Sequence, residues 1–228
     1  EKDYTGASEE VIFHYPAGSI EYNGDSSDIY NPVISSSLKL QIISQESFKF
    51  IDFYSSDSSI FKVFVYRINR GYLLWTGSII PELFIESYTN PPYPVESVWT
   101  DGLKYLNNKK TTLSGLQMHL DILNDILAKT GLDLLLVDCV NIYEESHLQG
   151  TNDSPLNQTY VDMQAYKDMN CYEILNDILT IYGSRIYQKA GEWWIVPIHQ
   201  FATSFTFRRF SGAGVFVNSG TYNPESLI

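Results

Sequence analysis

The hydrophobic pattern of the chain changes at Asp101-Gly102, and this change constrains the fold more than any other feature. Before it, short runs of apolar and aromatic residues alternate with turn residues at intervals of roughly 8–12 residues, a spacing typical of barrels and sandwiches. After it, Leu116, Leu120, Leu123 and Leu127 recur at spacings of four, three and four, which is one stripe of an amphipathic helix. We therefore expect a β-rich first region and a second region that contains helices.

The first region is predicted to consist of antiparallel strands. Period-two alternation, or a high content of β-branched and aromatic residues, marks each of them. The predicted strands are 11–15, 38–43, 60–68, 72–79, 84–88 and 95–100. Because Asn69-Arg70-Gly71 is a turn sequence between two of these strands, residues 60–79 are predicted to form a hairpin.

Two helices are predicted in the second region, each with a signal at both ends. Ser114 is the expected N-cap of the first helix and Gly131 its stop, since a serine accepts a bond from a free backbone amide and a glycine adopts positive φ. The second helix begins at a capping box made by Asn170 and Glu173 and ends at Gly183.

These elements divide the chain into three parts. Residues 1–100 are predicted to form a β domain, and residues 101–199 a smaller α+β domain in which the two helices pack on short sheets. A strand at 132–137 and a hairpin over 184–198 supply those sheets. Residues 200–228 contribute strands that we expect to pair back into the first domain. Both ends of the sequence resemble cuts, so we expect a piece of a longer protein.

The two helices share an identical string of six residues. Ile122–Leu127 and Ile174–Leu179 both have the sequence Ile-Leu-Asn-Asp-Ile-Leu, at an offset of 174 − 122 = 52 residues, and Gly131 and Gly183 have the same offset. One interpretation is an internal duplication of a helix–strand unit. The other is that isoleucine and leucine recur at helical spacing by chance.

The charge of the chain excludes some classes of function. It has 15 Lys and Arg against 27 Asp and Glu, a net charge of −12. This balance disfavours a general nucleic-acid binder, which needs cations to displace counterions from phosphates, and disfavours anchoring to anionic lipid. Aromatic residues reach 14%, with 17 Tyr, a composition that suits half-buried strands and subunit contacts.

The residues give no motif of known chemistry. A phosphate loop, a nucleophile elbow and a zinc-protease helix are all absent from the sequence. His147 follows Glu144-Glu145, but a solvated loop is favoured there over a metal site. Cys139 and Cys171 lack the spacing of a zinc site, and either one disulfide or two buried thiols is open. We expect no metal, no cofactor and no enzymatic activity.

Two alternative functions remain open from the residues alone. Trp75, Trp193 and Trp194 would offer an aromatic platform for a carbohydrate-binding or cell-surface-binding module. Paired carboxylates would serve a hydrolase acting on sugars. The candidate carboxylates are Glu82, Glu86, Glu96 and Asp101.

An ordered series of short segments over residues 30–199 resembles tail or baseplate hub proteins of long-tailed phages and of prophages in Bacteroides-like bacteria. The series includes a Trp-x-Gly hairpin, a Pro-Glu step, a Pro-Tyr segment and an Asp-Gly-Leu turn that opens the helical region, although the alanine usual before that turn is replaced by Trp99-Thr100. The segments are Pro32–Leu40, Leu74–Gly77, Pro81-Glu82, Glu86–Tyr88, Pro92–Val95, Thr100–Leu106, Asp153–Tyr160 and Gly191–Trp194.

The resemblance implies a structural, non-enzymatic virion protein. Such hubs have tube-like antiparallel β-barrel domains, form trimers, contact other tail proteins and join the tail tube to the tip. DNA is passing cargo in their channel, which an acidic wall repels. The implied location is the virion tail, with assembly in the bacterial cytoplasm. The residues expected to have structural roles in the pattern and at the helix ends are Trp75, Gly77, Pro81, Glu82, Pro92, Tyr93, Asp101, Gly102, Leu103, Gly131, Gly183 and Trp193.

Overall fold

A computed structural model describes residues 12–23, 30–55, 57, 60–67, 71–199 and 204–223, with only the backbone for residues 12–17. The chain divides into two compact units. The first comprises Glu1–Asn23 and Ser35–Gly102, and the second comprises Gly24–Ile34 and Leu103–Ile228. The later boundary lies at the point where the hydrophobic pattern of the sequence changes.

The first unit is built on one antiparallel sheet of six strands. Its strands are β1 (Ile12–Asn23), β2 (Ser35–Ser44), β3 (Lys62–Tyr66), β4 (Leu73–Ile79), β5 (Ile85–Glu86) and β6 (Tyr93–Thr100). The order across the sheet is β1-β2-β6-β4-β3, with β5 beside β6. Short 3-10 helices at Ile51–Phe53 and Pro81–Leu83 lie in its connections. The two strands of the predicted hairpin over 60–79 are confirmed, because β3 and β4 pair antiparallel. Residues 68–70 of its predicted turn lie outside the described residues.

The predicted closed barrel is wrong for this unit. Within the described ranges, β1 pairs only with β2 and β3 only with β4, so the sheet is open at both ends. Closure requires consistent strand tilt and stagger around the whole sheet. Here β4 and β6 share only the pairs Ser78↔Thr100 and Ile79↔Trp99, which is too little contact to carry a continuous barrel wall. The spacing of the strands along the sequence therefore did not predict whether the sheet closes.

Alternating side chains of β6 explain where the core of the first unit lies. Tyr93, Val95 and Trp99 are buried, whereas Pro94 and Glu96 between them are exposed. One buried cluster contains Leu38, Trp75, Ile79 and Trp99, and a second contains Phe84, Tyr93 and Val95. Phe53 lies beside both clusters, with its ring edge-on to Trp99 and to Phe84, each at 5.8 Å between centroids.

The second unit packs helices on a five-stranded mixed sheet. Its strands are β7 (Leu116–Met118), β8 (Leu136–Asp138), β9 (Tyr160–Asp162), β10 (Ser184–Lys189), β11 (Glu192–Pro197), β12 (Phe205–Phe210) and β13 (Phe216–Tyr222). Its helices are α1 (His119–Ala128), α2 (Pro155–Gln158) and α3 (Cys171–Ile181), with 3-10 turns at Leu103–Asn108 and Met163–Tyr166. The sheet order is β10-β11-β8-β12-β13, and β7 pairs separately with β9. This unit is α+β, as the sequence indicated.

The helix ends follow the sequence signals with one exception. Asn170 and Glu173 form the predicted capping box of α3, and Gly131 and Gly183 have φ of 79° and 55° beyond the two helices. The predicted start of α1 at Ser114 is wrong. Leu116 belongs to β7, whose pairing with β9 keeps the backbone extended until His119.

The closing strands pair within the second unit. β12 lies antiparallel to β8, and β13 pairs with β12, so these strands extend the sheet of the second unit rather than joining the first. Residues 201–203, which belong to the predicted closing strands, lie outside the described residues. Every helix in the described chain is too short or too polar to span a bilayer.

Candidate functional site

Three of the residues predicted to have structural roles, Trp75, Gly77 and Asp101, lie close together at one end of the first sheet. Asp101 directly follows β6 and is fully buried. Its Oδ2 accepts hydrogen bonds from the amide of Ser36 at 2.5 Å and from the Ser36 hydroxyl at 2.6 Å. The indole N–H of Trp75 donates to that same hydroxyl oxygen at 2.8 Å. Gly77 lies beside them, where a Cβ would collide with the Trp75 ring and the Thr100 carbonyl. We call Ser36, Trp75 and Asp101 the polar clamp.

The polar clamp fastens β2 to β6 where the chain passes between units. The second segment of the first unit begins at Ser35 and ends at Gly102. The amide of Asp101 donates to the Ser36 carbonyl at 3.1 Å, so both the backbone and the side chain of Asp101 hold the start of β2. A buried carboxylate with several hydrogen-bond donors is a structural anchor, and all three members of the clamp are inaccessible to a ligand.

The remaining predicted residues have separate positions. Pro81 is buried and Glu82 exposed in the same 3-10 helix, and Pro92 precedes the buried Tyr93 at the start of β6. Gly102 has φ of 83° and turns the chain toward the buried Leu103.

The tryptophans proposed as a sugar platform are inside the protein. Trp75, Trp193 and Trp194 are 0%, 1% and 4% exposed. Trp193 packs in the core beside the helices, and Trp194 packs in a second cluster with Val137 and Cys139. The two adjacent tryptophans lie on opposite faces of β11, and neither is available to a ligand because side chains cover both faces.

The candidate carboxylates other than Asp101 have ordinary surroundings. Glu86 accepts a hydrogen bond from the Tyr93 hydroxyl at 2.9 Å, and Glu96 accepts one from Gln41 at 2.8 Å. Glu82 is exposed. Each has a structural or solvated environment of the kind that any acidic chain provides.

The sequence did not predict a buried serine–aspartate pair that lies in the second unit. The Ser154 hydroxyl donates to Asp138 Oδ2 and accepts from the amide of Leu156 at 3.1 Å, so Ser154 is the N-cap of α2. Burial raises the pKa of Asp138 to about 6, against the opposing effects of the hydrogen bonds from Ser154 and Val140 and of the Arg208 charge. The capping sequence Ser154-Pro155 was visible, but its aspartate partner lies 16 residues away.

The histidine and cysteine candidates form no metal cluster among the residues whose positions are described. His147 Nε2 lies 3.0 Å from Glu144 Oε1, a pair within one polar loop. Cys139 and Cys171 are both buried free thiols, so the alternative of one disulfide is wrong.

The outer edge of β3 is the surface that best fits a functional role. Val63 and Val65 pack toward the core of the first unit, and Thr76 on β4 donates its hydroxyl hydrogen to the Val63 carbonyl at 2.9 Å. On the other face, Phe64 and Tyr66 are 53% and 57% exposed. No strand of the described chain pairs beyond β3. We call this strand, with exposed Phe64 and Tyr66, the β3 edge.

The charge of the β3 edge differs from that of the whole chain. Residues 60–67 contain Lys62 and Arg67 and no carboxylate, on a chain of net charge −12. Natural sheets protect open edges because free backbone donors and acceptors recruit another strand. Lysine is one such protection, but two half-exposed aromatic side chains act in the opposite direction and favour a contact. The aromatic and β-branched residues of 60–68 predicted a strand, but nothing in their pattern indicated that this strand lies at the end of a sheet.

Comparisons with known proteins add no relative: the chain matches no protein family model and no curated protein.

Proposed function

We propose that this protein is a self-assembling structural component of a phage or prophage tail, at the baseplate or tail-tip hub. The observation that carries the proposal is the β3 edge, an open strand with two exposed aromatic side chains. The ordered sequence segments that resemble tail hubs supply the biological setting. In that setting the protein joins the tail tube to its tip, and its acidic surface lets DNA pass without adhering.

A second copy of the chain is the proposed occupant of the β3 edge. Copies with a net charge of −12 repel one another, and a locally basic edge relieves that repulsion when it meets an acidic surface. β1 is the other open end of the same sheet and includes Glu21 and the half-exposed Tyr22. A head-to-tail contact of β3 with β1 uses two different surfaces, and such heterologous contacts form a ring when the rotation between successive subunits closes.

Sedimentation velocity over a range of concentrations tests this assembly. The wild-type chain is expected to form a closed oligomer larger than a dimer, with a trimer as the expected species. Replacing both aromatic residues, Phe64→Lys with Tyr66→Lys, should weaken assembly at least about 30-fold, because removing an interface hot spot costs about 2 kcal/mol or more. The matched control is Tyr160→Lys, which changes a tyrosine of the second unit that is 56% exposed.

Three outcomes would contradict assembly through the β3 edge. They are a wild-type chain that stays monomeric at high concentration, a double variant that assembles like wild type, and a strict dimer, which indicates a self-complementary contact. Circular dichroism of the double variant checks that it is folded.

The tail location has its own test. Antibodies against the chain, visualised by immunogold electron microscopy on phage-like particles from the source bacterium, are expected to label the tip end of the tail. Labelling confined to heads, or particles that carry no label while the protein is abundant in the lysate, would overturn the tail assignment.

A further inference from the structure

A groove in the first unit is formed by two loops that the proposed assembly does not use. One loop follows β2 and contributes Ser47 and Phe48, and the other joins β5 to β6 and contributes residues 87–90. The groove has a volume of about 610 Å³, within the range of roughly 300–1,000 Å³ that is typical of small-ligand sites. We call it the Phe48 groove.

Phe48 is held in its position by a chain of hydrogen bonds. Its φ is 59°, a left-handed conformation that is strained for a bulky residue. The Phe48 amide donates to the Tyr93 hydroxyl at 3.0 Å, and that hydroxyl donates to Glu86 Oε1 at 2.9 Å. Tyr93 is itself buried. The strained backbone is therefore fixed from the core, and strain that the surroundings maintain in this way concentrates at binding sites.

Two aromatic rings are exposed to solvent at the groove. The centroids of Phe48 and Tyr88 are 5.5 Å apart with an angle of 36° between the ring planes. Phe48 is 42% exposed and Tyr88 is 88% exposed. Aromatic faces carry partial negative charge, so they attract the polarised C–H bonds on the flat side of a pyranose ring. Such a pair of rings provides a stacking surface for one or two sugar rings.

The rest of the lining is polar and uncharged. Ser47, Ser87 and Thr89 supply hydroxyl groups, Asn90 supplies an amide, and no charged side chain lines the groove. Hydroxyl and amide groups both donate and accept hydrogen bonds, as do the hydroxyl groups of a sugar. A charged ligand would find no counter-charge, and a purely apolar ligand would leave these polar groups unpaired at a cost.

We propose that the Phe48 groove binds a neutral oligosaccharide, with a sugar ring stacked on Phe48 and Tyr88 and its hydroxyl groups bonded to the serine, threonine and asparagine side chains. This site is distinct from the β3 edge, so either can fail without the other. In this proposal the aromatic surface that binds a sugar consists of two exposed rings on loops. The tryptophans that the sequence suggested for this role are buried.

Saturation-transfer NMR and calorimetry with chitotetraose and cellotetraose test the proposal. At least one of the two neutral sugars is expected to bind the wild-type chain, and Tyr88→Ala should weaken that binding at least 10-fold. Phe48→Gly should do the same, because glycine accepts the left-handed backbone and removes only the ring. Tyr88→Phe should retain binding, since it keeps the stacking face. Tyr54→Ala is the matched control and should bind like wild type, because Tyr54 is a tyrosine of the same unit, 71% exposed, that lies outside the groove lining.

The proposal would be overturned if neither sugar binds, or if Tyr88→Ala and Phe48→Gly bind like wild type. Stronger binding of the acidic probe tetragalacturonate than of either neutral sugar would also overturn it, because the uncharged lining predicts the reverse order. Circular dichroism and sedimentation of each variant separate a lost ring from a lost fold or a lost assembly.

Discussion

Replacing Asp101 by alanine is expected to lower the free energy of unfolding of the first unit by about 2–4 kcal/mol, because each buried donor left without an acceptor costs about 1–3 kcal/mol. The substitution leaves the Ser36 amide and hydroxyl without the buried acceptor that they contact at 2.5 and 2.6 Å. It also removes the support for the Ser36 hydroxyl, to which the Trp75 indole donates. The connection between β2 and β6 should therefore open before the rest of the sheet.

Native-state hydrogen exchange measures this effect unit by unit. In Asp101→Ala, the amides of β6 should exchange much faster than in the wild type, while those of β11 in the second unit should keep their protection. Asp101→Asn retains one acceptor oxygen and should have an intermediate effect. Asp52→Ala, at an exposed aspartate of the same unit, should change stability by no more than about 0.5 kcal/mol. A loss below about 1 kcal/mol in Asp101→Ala would contradict the anchoring role.

The second large effect is a pH dependence that comes from Asp138. Burial raises the pKa of this carboxyl group from 3.8 to about 6 in the folded chain. Between these values the folded state binds more protons than the unfolded state, so its stability falls as the pH rises through the window. At about 1.4 kcal/mol for each pH unit, the ionised aspartate lowers stability above pH 6 by roughly 3 kcal/mol relative to its protonated form.

Asp138→Asn isolates this contribution, because asparagine does not ionise. Urea unfolding of the variant and the wild type, from pH 4 to pH 7.5, should show a difference in unfolding free energy that shifts by roughly 2–3 kcal/mol in favour of the variant as the pH rises. Asp133→Asn, at an exposed aspartate of the same unit, provides the control. A difference between Asp138→Asn and wild type that stays constant across the range would contradict the raised pKa.

Local features of the fold were predictable because their causes are local. The capping box of α3 needs only Asn170 and Glu173, three residues apart. The β10–β11 hairpin turns at Ala190 and Gly191, both with positive φ, which the sequence Ala-Gly indicated. Gly131 and Gly183 end their helices for the same reason, since a residue without a Cβ adopts φ above zero without strain.

Features that depend on distant partners were not predictable. Helix α1 begins later than predicted because β7 pairs with β9, which lies more than 40 residues away in the chain. The open sheet reflects the short contact between β4 and β6, which no hydrophobic pattern encodes. The internal duplication of the two helices remains a prediction, although both copies of the repeated string lie on helices of one core.

The candidate surfaces are defined by which side chains are exposed to solvent, and sequence patterns predict that exposure poorly. Trp193 and Trp194 were candidates because indole rings can stack on a sugar, but both faces of β11 are packed. Phe64 and Tyr66 looked like ordinary strand residues. Their significance comes from the position of β3 at the end of the sheet, which depends on how the strands are ordered.

Hydrogen exchange of the β3 amides, measured in the assembled protein and after dilution to the monomer, tests the central claim most directly. Alternate amides of β3 are already bonded to β4, so we expect the amides of Lys62–Tyr66 that point away from β4 to be protected in the oligomer and to exchange faster after dilution. Those of β11 should stay protected in both samples. Fast exchange throughout β3 in an assembled sample would place the subunit contact elsewhere and contradict the proposal.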